Sequence, residues 1–173
     1  MATYLVLTII GDDKPGLVEK LSETIARHSG SWLESNMSHL AGKFAGILRV
    51  SVDELQADAL IADLQNLSSI LKLVVEKVTV ADVSTKQRTL RLSLVGNDRP
   101  GIVKEIARAL AAAHVNVEEL NSHISSAPMS GETLFNAKAV LKVPVDLDTD
   151  ALQVQLERLA DDLIVDISLA PIE

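Results

Sequence analysis

Apolar and polar positions alternate at the start of the chain. Leu5, Leu7 and Ile9 fall on one face, and Tyr4, Val6 and Thr8 on the other. A period of two predicts a strand with one face against a core. The period then lengthens. Leu17, Val18, Leu21 and Ile25 recur at helical spacing, predicting a helix with one apolar stripe that opens at Pro15, because proline suits the first helical position. A second strand is expected near Ser31–Leu40. A third alternates through Phe44, Gly46, Leu48, Val50 and Val52. Leu60, Leu64 and Leu67 return to the helical period, and "LKLVVEKVTV" closes the segment as a strand.

The same pattern then starts again. At an offset of 85, Leu5, Leu7, Ile9 and Gly11 fall on Leu90, Leu92, Leu94 and Gly96, and Pro15 through Ile25 fall on Pro100 through Leu110. "KFAGILRVSV" matches "LFNAKAVLKV" once the second copy gains about six residues around "SSAPMSGE". A second strand is expected at Asn116–Ser125, a helix through Leu152, Leu156 and Leu159, and a final strand in "LIVDISLA". Polar as well as apolar positions match, which marks a tandem repeat of a whole domain. Each copy reads βαββαβ, the ferredoxin-like arrangement, an α+β fold with an antiparallel sheet and helices on one face. The expected division is 1–80, a polar linker "ADVSTKQ" at 81–87, and 88–173.

The most similar stretches of the two copies are "GDDKPGLVEKL" and "GNDRPGIVKEI", at the first strand-to-helix connection. Gly11 and Gly96 are expected to let the backbone turn out of the strand. Gly16 and Gly101 add no side chain at the helix start, where unpaired amides and the helix dipole favour a carboxylate or phosphate. The carboxylates of Asp12, Asp13 or Asp98 suit an ammonium, and Asn97 can hydrogen-bond either group. Together these features suit a zwitterion, an amino acid. The same residue types are also those that any strand-to-helix turn favours.

Composition narrows the function classes. The chain is 47% hydrophobic and has a net charge of −8, with aromatics at only 2%. Nucleic-acid affinity rests largely on cations neutralising phosphates, so direct nucleic-acid binding is not expected. An RNA-recognition module of this topology would need paired aromatics on its central strands. An acylphosphatase-like enzyme would need an arginine in a phosphate-cradling loop; Arg99 stands there in the second copy, but Lys14 in the first. There is no cysteine, which excludes disulfides and thiolate metal sites. His28, His39, His114 and His123 form no metal-binding spacing, so no metal or cofactor is expected. Glu118 and Glu119 are expected on opposite faces of a strand, and Asp161 and Asp162 in a turn. Trp32, at the start of the second strand, reads as core packing. "MATYLVLTII" lacks a basic leader region, and no apolar run is long enough to span a membrane, so a cytoplasmic location is expected.

With these loops inside βαββαβ units, the sequence resembles the ACT domain family over nearly its whole length. The resemblance implies a non-enzymatic regulatory module that binds an amino acid near the first strand-to-helix loop, at an interface between two such units. Asp13 and Asp98 match the loop residue that often contributes there. Asn116 matches an asparagine at the start of the second strand, where the first copy has Ser31. The expected effector-binding residues are therefore Asn97, Asp98, Gly101, Ile102 and Asn116, with Asp12, Asp13, Gly16 and Leu17 as the first copy's set. Two such units and nothing else resemble the glycine cleavage system transcriptional repressor family. That resemblance implies glycine or a related small amino acid as effector, a DNA-binding transcriptional activator as protein partner, and a homodimer. Regulation of a metabolic enzyme by an amino-acid-sensing ACT protein is the alternative.

Overall fold

The computed structural model describes residues 1–79 and 86–172. They form two compact units, Met1–Asp82 and Val83–Glu173. Most of the expected linker lies outside the described residues, and its last residue, Gln87, is the first of a strand.

The first unit runs β1 (Ala2–Asp12), α1 (Leu17–Arg27), β2 (Ser31–Leu40), β3 (Lys43–Asp53), α2 (Glu54–Gln65), a 3₁₀ turn (Asn66–Ser69) and β4 (Lys72–Val78). The second runs β5 (Gln87–Asn97), α3 (Ile102–Ala112), β6 (Asn116–Ser126), β7 (Thr133–Pro144), α4 (Thr149–Leu163) and β8 (Val165–Pro171). The sheets have the orders β2-β3-β1-β4 and β6-β7-β5-β8, and every pairing is antiparallel.

The period-two pattern sorts the strand faces as expected. Leu5, Leu7 and Ile9 pack with Leu48, Val50 and Val52 under the buried faces of the helices, including Leu21, Ile25, Leu60 and Leu64. In the second unit Leu90, Leu92 and Leu94 meet Leu141, Val143, Leu152 and Leu156 in the same way. Trp32, Met37 and Phe44 pack against the first core from its edge. The edge strands β2 and β6 carry a bulge at matching places, between Trp32 and Glu34 and between Val117 and Glu119. The bulge breaks the alternation that placed Glu118 and Glu119 on opposite faces. Glu118 is the inserted residue, with its carboxylate 3.8 Å from Lys142 Nζ.

The helix boundaries differ from the expectation. α1 and α3 do not open at Pro15 and Pro100 but at Leu17 and Ile102, because Gly16 (φ 91°) and Gly101 (φ 97°) take the left-handed conformation and hold the chain out of the helix at the N-cap. Val18 and Val103, assigned to the apolar stripe, are each 45% exposed. Asp161 and Asp162 lie in the last turn of α4 rather than in a loop. Leu156, Ala160 and Leu163 keep that helix anchored, and it stops only where Ile164 turns left-handed (φ 55°).

Gly11 and Gly96 do not make the turn either. Both are paired residues of the central strands, opposite Phe44 and Phe135. What they supply is room. A Cβ on Gly11 would sit 2.6 Å from the Ile70 carbonyl oxygen, and one on Gly96 would sit 2.2 Å from Val165 Cγ1.

One polar contact ties the helices of the first unit together. His28 Nε2, at the end of α1, lies 2.7 Å from Asp63 Oδ2 on α2, and Arg27 adds a contact at 3.6 Å. The hydrogen bond to His28 holds the Asp63 carboxyl below its ordinary range. A carboxyl that binds its proton less tightly when folded stabilises the fold above its unfolded value, about pH 4, and that contribution is lost as pH falls through the folded value. The urea midpoint of Asp63→Asn is therefore expected below that of the unsubstituted chain at pH 6. The two are expected to converge as the pH falls through that folded value.

Candidate functional site

Each unit brings the end of its first strand, the start of its first helix and the β2–β3 or β6–β7 connection to one corner. In the first unit that connection is the two-residue turn Ala41–Gly42, with φ of 50° and 76°, the twist a tight hairpin requires. In the second it runs from 127 to 132, with Gly131 left-handed. The loop after the central strand is tied to this connection in both. The Asp13 N–H donates to the Gly42 carbonyl (3.0 Å), and the Asp98 N–H to the Thr133 carbonyl (2.8 Å).

The two helix starts in each unit are treated differently. α2 and α4 are capped by side chains: Asp53 accepts from the Leu55 N–H, and Asp148 accepts from the Asp150 and Ala151 N–H groups. α1 and α3 begin at left-handed glycines, with no side-chain cap. Their ladders start with the Lys20 N–H to the Gly16 carbonyl and the Glu105 N–H to the Gly101 carbonyl, both 3.0 Å. The amides before those donors point out of the helix start, where the dipole favours an anion.

The carboxylates beside these starts are not equivalent. Asp12 sits opposite Lys43 in the β1–β3 ladder and pairs with its ammonium, and the hydrogen bond from Lys43 keeps the Asp12 carboxyl below its ordinary range. Asp13 Oδ2 lies 3.5 Å from His39 Nε2. A shallow hollow lined by Asp13, Gly16, Leu17, Val18 and Phe44 opens beside them. In the second unit Leu134 takes the place of Lys43 opposite Asn97. Among the described residues, the Asp98 carboxylate has neither an ion-pair nor a hydrogen-bond partner. Asn97 and Gly101 are exposed, and Ile102 is buried at the base of the corner.

Asn116 is not in this corner. It pairs with Lys142, which pairs with Thr89, whereas Asn97 pairs with Leu134. Asn97 lies eight steps along the strand from Thr89, about 27 Å at the rise of an antiparallel strand. Within one unit the fold brings Asn97, Asp98, Gly101 and Ile102 together and leaves Asn116 at the other end of the sheet.

Sequence reasoning missed Lys43 and His39, which occupy the first unit's carboxylates. Their positions depend on which residue each strand sets opposite another, and the chain gives no local sign of that. Among the described residues no group of His, Asp or Glu has a metal-binding arrangement. Among the described residues, no helix is long and apolar enough to cross a membrane.

Residues 3–77 match the family model of the ACT domain. The first unit is an ACT domain. The second repeats its element order and strand order, so the chain is a tandem ACT fold. Two solved structures share this arrangement over the whole chain. An unknown protein from Galdieria sulphuraria is 26% identical, with a TM-score of 0.90 and full coverage of both chains (100%). A "putative glycine cleavage system transcriptional repressor" is 17% identical, with a TM-score of 0.73, covering 100% of this chain and 99% of that one. No curated protein matches the chain.

Proposed function

We propose that this tandem ACT protein is a non-enzymatic regulator that binds a small amino acid such as glycine at the corner of its second unit, and that it acts on transcription of a glycine cleavage system. One observation carries the reading. The uncapped start of α3, at left-handed Gly101, stands beside the unpartnered carboxylate of Asp98, so a zwitterion finds amides for its carboxylate and an anion for its ammonium. The name borne by the second of the two similar structures supports the regulatory direction. The net charge of −8 favours action through a protein, a DNA-binding activator, over a direct grip on DNA phosphates. A surface for such contact is available on the first unit's helix-free sheet face, where Ile47 and Val74 are more than half exposed.

A site that uses Asn116 as well as Asp98 takes the asparagine from a second copy of the chain, which suits a homodimer. The effector switches such an assembly only by binding one arrangement better than another. Asp98→Ala is expected to weaken amino-acid binding by about tenfold or more, the loss of a charge-assisted hydrogen bond. Asp12→Ala, whose carboxylate is already committed to Lys43, is expected to change it far less. Calorimetric titration of the two variants checks the difference. Crosslinking in cell extract that captures no activator, with or without glycine, counts against the transcriptional part.

A further inference from the structure

The first unit has a hollow between the end of β1 and the turn that carries α2 into β4, with a cavity volume of about 280 Å³. One apolar wall, Ile10, stands there with Lys43, Lys72, Ser68, Ser69 and Asp12. Strand register brings the two lysines together. Ile10 pairs with Lys72 on one flank of β1, and Asp12 pairs with Lys43 on the other. Ile10 and Asp12 are two residues apart, so both pairs lie on the same face of the sheet. The two flanking strands are about 10 Å apart, within reach of two long side chains that meet over the end of β1.

Charge is not balanced in this hollow. Lys43 pairs with Asp12, but among the described residues the Lys72 ammonium has no carboxylate partner. The Ser68 and Ser69 hydroxyls enter no side-chain hydrogen bond there either. The carbonyls that end α2 carry partial negative charge, but they are taken up within the turn. The Asn66 N–H donates to the carbonyls of Ala62, Asp63 and Leu64, and the Ile70 and Leu71 N–H groups donate to that of Leu67.

The second unit keeps the fold without this charge. Val95, which matches Ile10, pairs with Asp166, and Asn97, which matches Asp12, pairs with Leu134. An aspartate and a leucine thus hold the places of Lys72 and Lys43, so the fold itself does not require the lysines.

We infer that this hollow binds a phosphate group, free or carried by a small molecule. Two ammonium groups and two hydroxyls supply donors for its oxygens. A phosphate group carries up to two negative charges near pH 7, which lets it compete with Asp12 for Lys43 better than a carboxylate can. The volume equals about nine waters at roughly 30 Å³ each, which leaves room for a short organic body against Ile10. The amino-acid reading concerns the other unit and is tested separately.

The test titrates the full chain with inorganic phosphate, glycerol phosphate and acetate, followed by backbone amide NMR shifts. At least one of the two phosphates is expected to saturate shifts centred on residues 68–72, with acetate binding at least about tenfold more weakly. Lys72→Asp, which installs the second unit's own residue, is expected to lower phosphate affinity about tenfold or more. Asp12→Asn removes a repelling charge and releases Lys43, and is expected to raise it about threefold. Thermal melting confirms that both variants fold. Tighter binding of glycerol phosphate than of inorganic phosphate assigns the site to a phosphorylated small molecule, and the reverse or equality assigns it to phosphate itself. The inference is overturned if neither phosphate saturates those shifts, if acetate binds as tightly, or if both substitutions leave the affinity unchanged.

Discussion

Replacing Gly96 with alanine is expected to destabilise the second unit by about 2–3 kcal/mol, through overpacking rather than through any change of turn. The new methyl would meet Val165 on the neighbouring strand at Cγ1 (2.2 Å), Cβ (2.7 Å) and Cα (2.9 Å), so no rotation of the valine relieves the clash. The backbone of β5 or β8 must move, and β5 is the strand to which both neighbours are bonded. Gly101, five residues on, is different. A Cβ there meets nothing within 4 Å, but φ is 97°. Gly101→Ala is therefore expected to cost only the left-handed strain, roughly 1–2 kcal/mol. The two mechanisms separate by residue type. At position 101 asparagine should cost less than alanine, since it tolerates the left-handed region. At position 96 it should cost more, since it is larger. Urea unfolding of the four variants gives the ordering.

Leu7→Ala is expected to cost the first unit about 3–5 kcal/mol. Leu7 is fully buried on the central strand, opposite Leu48 on one side and Val75 on the other, and it faces the helices. Its neighbours across the sheet are fixed by ladder hydrogen bonds, which limits how far the site can close over the space. A domain of this size has only about 5–10 kcal/mol in total, so the first unit should be largely unfolded well below the midpoint of the unsubstituted chain. Val74→Ala, on the exposed face of β4, should change stability by less than about 0.5 kcal/mol.

The elements were legible because each segment repeats its period long enough to decide between strand and helix, and because the chain states the pattern twice. The repeat also identified the corner. The physical role of its glycines was harder to read. Gly11 and Gly96 looked like turn residues because glycine most often is one, yet each is required by a neighbour far along the sequence, Ile70 or Val165. Gly16 and Gly101 make the left-handed turn and so move the helix start past the proline. That Asn97 and Asp98 stand beside the start of α3 was legible from their spacing to Gly101. The neutralising of Asp12 by Lys43 was not, since ladder register decides it. Nor was the separation of Asn116 from Asp98, since strand direction decides that. The bulge at Glu118 defeated a period-two argument because one inserted residue reverses every face after it.

Calorimetric titration of the intact chain with glycine, followed by serine and the larger aliphatic amino acids, addresses the central claim most directly. The account predicts saturable binding that Asp98→Ala weakens at least about tenfold without lowering the melting temperature. Absence of heat with every amino acid, together with no thermal shift at millimolar concentrations, would contradict it.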